Sequence, residues 1–68
     1  MKARLLTNGG YFGLENAISS IVDVDNINPS SNNGWDRDVL NLKVVCLGSQ
    51  EVYGFFEGTE AVLVVEDN

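Results

Sequence analysis

Residues Val39–Phe56 have the sequence VLNLKVVCLGSQEVYGFF, and this stretch decides the fold. In Val39–Leu47, apolar side chains recur at alternate positions, which is the period of a strand with one buried face. Gly48–Glu51 is a four-residue connection with a glycine, as a β-hairpin requires. Val52–Phe56 is the returning strand, and Gly54 in its middle predicts a bulge or a sharp bend.

Three further segments have the pattern of strands. Lys2–Thr7 alternates basic and apolar residues, and Asn8–Gly10 ends it with a tight-turn signal. Ile18–Asp25 is rich in β-branched residues and ends in alternating valine and aspartate, which favours a strand. Helical spacing in Leu14–Ser20 leaves a short helix as the alternative there. Ala61–Glu66 is apolar on both faces, which predicts a central or doubly covered strand.

The length of the chain sets its domain organisation. Its 68 residues predict one domain, 1–68, and five short strands separated by turns predict an all-β fold. Natural domains of this size gain extra stability from disulfides, metals or oligomerisation. The single cysteine, Cys46, cannot form an intrachain disulfide, and we expect it to be a buried apolar side chain. Homo-oligomerisation therefore remains the open route to extra stability.

The charge balance excludes several classes of partner. Ten acidic residues and four basic ones give a formal net charge of −6. Binding to nucleic acid or to anionic lipid depends on cations, so we expect neither partner. The sequence has no signal-peptide pattern and no apolar stretch long enough to cross a bilayer, which favours a cytoplasmic protein. The acidity fits simple solubility, and the alternative is an acidic face that meets a basic partner.

No candidate motif for catalysis, a cofactor or a metal has all the residues that its chemistry requires. Nucleophilic catalysis by serine or cysteine needs an adjacent base, and the chain has no histidine. Asp23–Asn28 is similar to the start of a calcium loop, but Ile27 stands where an oxygen ligand is needed. Gly9–Gly10 with Gly13 lacks the lysine and hydroxyl residue that end a phosphate loop. We therefore expect a protein that is not an enzyme and holds no cofactor or metal.

The order of these elements resembles that of Src-homology-3-like small β-barrels. A first strand, a long loop at Asn8–Ala17 and a second strand are followed by a second loop at Asn26–Asp36. The hairpin, a one-turn connection at Glu57–Glu60 and a last strand complete the order over the whole chain. The resemblance implies a five-stranded antiparallel barrel whose two loops flank a groove for extended peptides. The Ala-Leu-Tyr-Asp-Tyr and Pro-x-x-Tyr patterns of that family do not occur in this chain.

The opening stretch Leu5–Glu15 resembles the start of small bacteriophage proteins that have no assigned activity. Members of that group begin with a basic strand and an Asn-Gly-Gly-Tyr-x-Gly turn, and Asn8–Gly13 has this form. The resemblance implies an accessory protein in the cytoplasm of an infected bacterium. It supplies no mechanism.

Aromatic and acidic side chains form the predicted binding surface. Tyr11 and Phe12 lie in a glycine-bracketed loop, and Trp35 ends the second loop. Asp23 and Asp25 alternate with valine and share one face of the second predicted strand. Small domains need large buried side chains, which favours Tyr11, Phe12, Phe55 and Phe56 as core residues with Trp35 capping one end. The alternative is a binding role, because aromatic residues dominate the energetics of protein interfaces.

These observations lead to one hypothesis of function and two alternatives. The first is a small acidic interaction module, of phage origin, that binds or inhibits a host protein. One alternative is a structural or self-assembling β protein, in which an exposed strand pairs with its copy. The other is an acidic inhibitor that mimics DNA and occupies a nucleic-acid-binding protein.

Overall fold

The structure is a computed structural model, and it describes residues 1–65 of the chain. The strands are β1 Lys2–Leu5, β2 Ile21–Asn28, β3 Val39–Cys46, β4 Ser49–Phe56 and β5 Ala61–Val64. They form one antiparallel sheet in the order β4-β3-β2-β1-β5. A 3-10 helix, Glu15–Ala17, lies in the connection between β1 and β2, and a one-turn helix, α1, Ser30–Asn33, lies between β2 and β3.

The prediction of an all-β fold with five antiparallel strands is confirmed. The predicted barrel is not, because the sheet is open between its end strands β4 and β5. Within residues 1–65, a single isolated bridge between Glu57 and Ala61 joins the end of one edge to the start of the other. The Src-homology-3-like grouping therefore stays a prediction.

The start of β2 differs from the prediction of a strand at Ile18–Asp25. Ser19 has a positive φ of 76°, a left-handed backbone that neither a strand nor a helix can include. Its N–H donates to the Leu5 carbonyl at 2.7 Å, so the chain turns here before β2 begins. The same turn limits the alternative helix at Leu14–Ser20 to a single 3-10 turn. At its other end β2 includes Asn26–Asn28, which were expected to open the second loop.

The hairpin between β3 and β4 is tighter than the four-residue connection that was predicted. Cys46 pairs with Ser49, so the turn consists of Leu47 and Gly48 alone. Both turn residues have positive φ, 53° and 81°, as a type I′ turn requires. Gly48 adopts this backbone without strain, whereas Leu47 carries a side chain that disfavours it.

Gly54 does not produce a bulge, which was one of the two features predicted for it. The register of β3 with β4 is continuous, and the irregularity in the sheet lies in β2, between Val24 and Asn26. A Cβ atom at Gly54 would lie 3.2 Å from Cγ1 of Val39. The glycine is therefore needed for close packing on the outer face of the hairpin.

The last strand was expected to be central or doubly covered, and this prediction is wrong. β5 pairs only with β1 and lies at an edge of the sheet. Val62 and Val64 are half-buried, Leu63 is exposed, and Val65, beyond the strand, is 93 % exposed. An apolar run does not by itself determine how many neighbours a strand has. Glu66, the end of the predicted strand, lies outside the described residues.

The core lies against the inner face of the sheet and is entirely apolar. Leu14, in the connection between β1 and β2, covers this face from the loop side and is fully buried. Cys46, expected to be buried, is only half-buried, and its Sγ lies 3.6 Å from the carbonyl oxygen of Gly13. The buried side chains are Ala3, Leu5, Leu14, Leu40, Leu42, Val44, Phe55 and Ala61.

Replacement of Leu47 by asparagine is expected to stabilise the fold. Leu47 is 94 % exposed, so the substitution removes little packing, and asparagine tolerates the left-handed backbone that leucine resists. We expect the free energy of unfolding of Leu47→Asn to rise by about 0.5–1 kcal/mol. Urea denaturation measures the change, and an unchanged or lower midpoint would contradict the account of the turn.

Candidate functional site

A shallow cleft lies at one end of the sheet, where three connections meet. Its volume is about 270 Å³. The loop after β1, the connection before β3 and the connection between β4 and β5 each contribute to it, together with β3 and β4. The lining residues are Gly9, Tyr11, Trp35, Val39, Gly54, Phe56 and Glu60.

Tyr11 lines the cleft, and contacts hold both its ring and its hydroxyl group in place. The ring meets Tyr53 edge-on at a centroid distance of 4.9 Å and Phe55 at 5.6 Å. Such edge-to-face pairs are favourable beyond the area that they bury. The hydroxyl donates to the carbonyl oxygen of Gly54 at 3.1 Å. Tyr11 therefore ties the loop after β1 to β4, at the far edge of the sheet.

Gly9 allows this loop to lie directly on the core. Its φ is +63°, and a Cβ atom there would lie 2.6 Å from Cε1 of Phe55. Two side-chain oxygens fix the neighbouring backbone: Thr7 Oγ1 accepts from the N–H of Gly9, and Asn8 Oδ1 accepts from that of Gly10. The Asn-Gly-Gly sequence therefore produces a tight turn, as predicted, and also a close contact between backbone and ring.

Trp35 lines the cleft from the connection before β3 and remains 60 % exposed. Its backbone N–H donates to Oδ1 of Asn33 at 2.6 Å, and its ring meets Phe56 edge-on at 5.3 Å. The guanidinium of Arg37 lies 5.8 Å from the centroid of the same phenylalanine ring, within the range of a cation–π contact. Trp35 is thus positioned by contacts on one side while its other side faces solvent.

Glu60 bounds the cleft at the connection between β4 and β5. Its carboxylate accepts from the N–H of Phe56 at 2.9 Å, and its own N–H donates to the Phe56 carbonyl at 2.9 Å. Sequence reasoning did not select Glu60, Val39, Gly54 or Phe56 for this site. The available signal was the position of Glu60 in the short connection that follows the hairpin.

The structure brings together two of the five predicted site residues. Tyr11 and Trp35 both line the cleft. Phe12 follows Tyr11 but is 97 % exposed and does not line the cleft. Asp23 and Asp25 lie on β2, outside the cleft. Among the aromatic side chains that were weighed as core residues, Phe55 is buried and Phe56 is half-buried.

Asp23 lies in a row of paired residues that crosses all five strands on the outer face, and the three central residues of this row are charged. Antiparallel pairing places Val64, Lys2, Asp23, Lys43 and Val52 side by side in that order. Nζ of Lys2 lies 2.5 Å from Oδ1 of Asp23. The hydrogen bond from Lys2, and then its positive charge, hold the pKa of Asp23 below its ordinary value. The charge of Asp23 is thus compensated within the sheet.

The cleft combines apolar contact area from aromatic rings with one carboxylate, that of Glu60, at its border. Within residues 1–65, no three histidine, cysteine, aspartate or glutamate side chains are grouped so that they could hold a metal ion. The same part of the chain contains no helix of the length and apolar character needed to cross a membrane.

Comparisons of the chain with models of protein families, with curated proteins and with solved structures find no match. The functional assignment of the cleft therefore depends on its residues and its geometry.

Alanine substitutions at Gly9 and Gly10 distinguish two contributions to the loss of stability. One is the cost of a left-handed backbone, and the other is the steric contact with Phe55. Both glycines have positive φ, but a Cβ atom at Gly10 meets nothing within 4 Å. We expect Gly10→Ala to lower the free energy of unfolding by about 1–2 kcal/mol. Gly9→Ala should cost about 1–3 kcal/mol more, because Phe55 must also move. Chemical denaturation of both variants tests this, and equal losses would show that the contact with Phe55 is unimportant.

Proposed function

We propose that the chain is a small acidic interaction module that binds a partner protein in the cleft between Tyr11 and Trp35. The observation that carries this proposal is the exposed Trp35 ring, which packs edge-on against Phe56 and lines the same cleft as Tyr11. Exposed aromatic anchors with few rotamers are typical of residues that dominate binding energy. A cleft with fixed walls also lowers the entropy lost on binding.

The strand order supports a place among Src-homology-3-like domains, which is part of the same proposal. In that family the loop after the first strand and the loop before the hairpin flank the peptide groove. Here Tyr11 comes from the first of these loops and Trp35 from the second. The beginning of the chain further supports a phage accessory protein that binds or inhibits a protein of the infected bacterium.

Trp35→Ala and Phe12→Ala are a matched pair for testing the cleft. Both remove one exposed aromatic side chain, but only Trp35 lines the cleft. We expect proteins captured from a lysate of the producing cells by the unmodified chain to be retained by Phe12→Ala. Loss of an interface anchor costs about 2 kcal/mol or more, so Trp35→Ala should weaken capture by roughly 30-fold. Quantitative mass spectrometry measures the ratio.

Two outcomes would contradict the cleft as the binding site. If Trp35→Ala captures the same protein equally well, the partner binds elsewhere. If charge reversal of Asp23 and Asp25 abolishes capture while Trp35→Ala has no effect, an acidic inhibitor that mimics DNA becomes the better account. Circular dichroism of each variant establishes that the fold is retained.

Self-assembly is a second candidate, and the exposed edge at β5 favours it. Leu63 is 42 % exposed, and the strand is apolar along its whole length. Such an edge is a template for pairing with another copy. If self-assembly is the function, light scattering over a hundredfold dilution should give a constant mass above that of one chain. A mass that stays at 7.4 kDa would exclude it.

A further inference from the structure

The outward-pointing backbone groups of β4 differ along the strand in whether they have hydrogen-bond partners. The cleft does not explain this difference. In a strand, the N–H and C=O groups of alternate residues point to the same edge. The carbonyl of Gly54 and both backbone groups of Phe56 bond to partners outside the sheet. Since the register with β3 is continuous, the backbone groups of Gln50 and Val52 point to this outer edge too.

One half of the edge is protected and the other is open. Glu60 satisfies both groups of Phe56, and Tyr11 satisfies the carbonyl of Gly54. Among residues 1–65, no hydrogen-bond partner is present for the four outward groups of Gln50 and Val52. All of Ser49–Val52 is exposed. The open half therefore offers two donors and two acceptors in line, the arrangement by which an extended segment adds to a sheet.

Charge argues against a second copy of the chain as the occupant. An antiparallel copy that used all four groups would pair Gln50 with Val52 and would place Glu51 directly opposite itself. Like charges in directly opposed positions destabilise a pair of strands. The chain also has a net charge of −6, which opposes close approach of two copies.

The side chains of Glu51 and Val52 indicate which kind of segment could pair with this edge. Glu51 is an exposed carboxylate, so a lysine or arginine opposite it would be favoured. Val52, 50 % exposed on the outer face, favours an apolar side chain opposite it, next to that cation. An apolar–basic–apolar strand places an apolar residue opposite Val52 in either strand direction, and so matches this edge in backbone, charge and apolar contact.

We propose that the Ser49–Val52 half of β4 binds an extended segment of a partner protein by strand addition, with a basic residue opposite Glu51. The segment extends the sheet as a sixth strand and stops where Tyr11 covers Gly54. This surface is separate from the cleft, since Tyr11 stands between the two. The inference does not depend on the function proposed for the cleft.

The probe is a synthetic peptide, Thr-Val-Lys-Val-Thr, with both ends blocked. Titration into ¹⁵N-labelled protein is expected to shift the amide signals of Gln50 and Val52 and to slow their hydrogen exchange. The signal of the Trp35 indole should not change. A peptide with glutamate in place of lysine should bind about fivefold more weakly.

Three variants test the geometry. Val52→Pro removes an outward N–H and no bond to β3, so the fold should persist while binding is lost. Glu51→Lys should weaken the lysine peptide about fivefold and strengthen the glutamate peptide by a similar factor. Trp35→Ala should bind the lysine peptide as the unmodified protein does, which separates this surface from the cleft.

Each contrary result would overturn the proposal. One such result is that Val52→Pro has a native circular dichroism spectrum and still binds the peptide undiminished. A second is that the unmodified protein binds the lysine and glutamate peptides with equal affinity. A third is amide shifts that appear at Tyr11 and Trp35 instead of Gln50 and Val52. Shifts at Gln50 and Val52 that grow with protein concentration in the absence of peptide would establish pairing between copies, against the occupant proposed.

Discussion

The contact of Tyr11 with β4 is the interaction on which the rest of the structure depends. The sheet order places β1 three strands away from β4, so the loop after β1 must cross the inner face to reach that edge. The Tyr11 hydroxyl and ring hold it there, against Gly54 and Phe55. The crossing carries Leu14 over the core, places Tyr11 in the cleft and covers the Gly54 carbonyl on the edge strand β4. A sheet that is not closed by strand pairing is thus joined across its ends by a loop.

Local patterns in the sequence were sufficient to predict which segments form strands. They were not sufficient to predict which strands lie next to each other in the sheet. Alternation in Val39–Leu47 specified the strongest strand because the side-chain period of a strand is a local property. The edge position of β5 could not be found in this way, since an apolar run is compatible with either a central or an edge strand. The boundary of β2 depended on the left-handed backbone of Ser19, which no residue preference predicts for serine.

The candidate site was predictable to the same degree. Tyr11 and Trp35 could be selected because aromatic residues dominate the energetics of protein interfaces, although the structure also gives Tyr11 a packing role against Phe55. Glu60 could not, because its role arises from hydrogen bonds to the backbone of Phe56, whose groups are free only if β4 is an edge strand. Asp23 was selected for its charge, but the register of three strands places lysines on both sides of it. The distribution of net charge along the chain says little about which carboxylates face a partner.

The hydrogen bond between Tyr11 and Gly54 joins residues that are 43 positions apart in the chain. The hairpin of β3 and β4 needs only a two-residue turn, and such hairpins form within microseconds. Closing a long loop costs more entropy than closing a short one, so contacts of this kind form late in folding. We therefore expect a folding stage in which the hairpin exists while the Phe55 ring and the Gly54 carbonyl are still uncovered. In that interval the chain is most exposed to aggregation, and the docking of Tyr11 ends it.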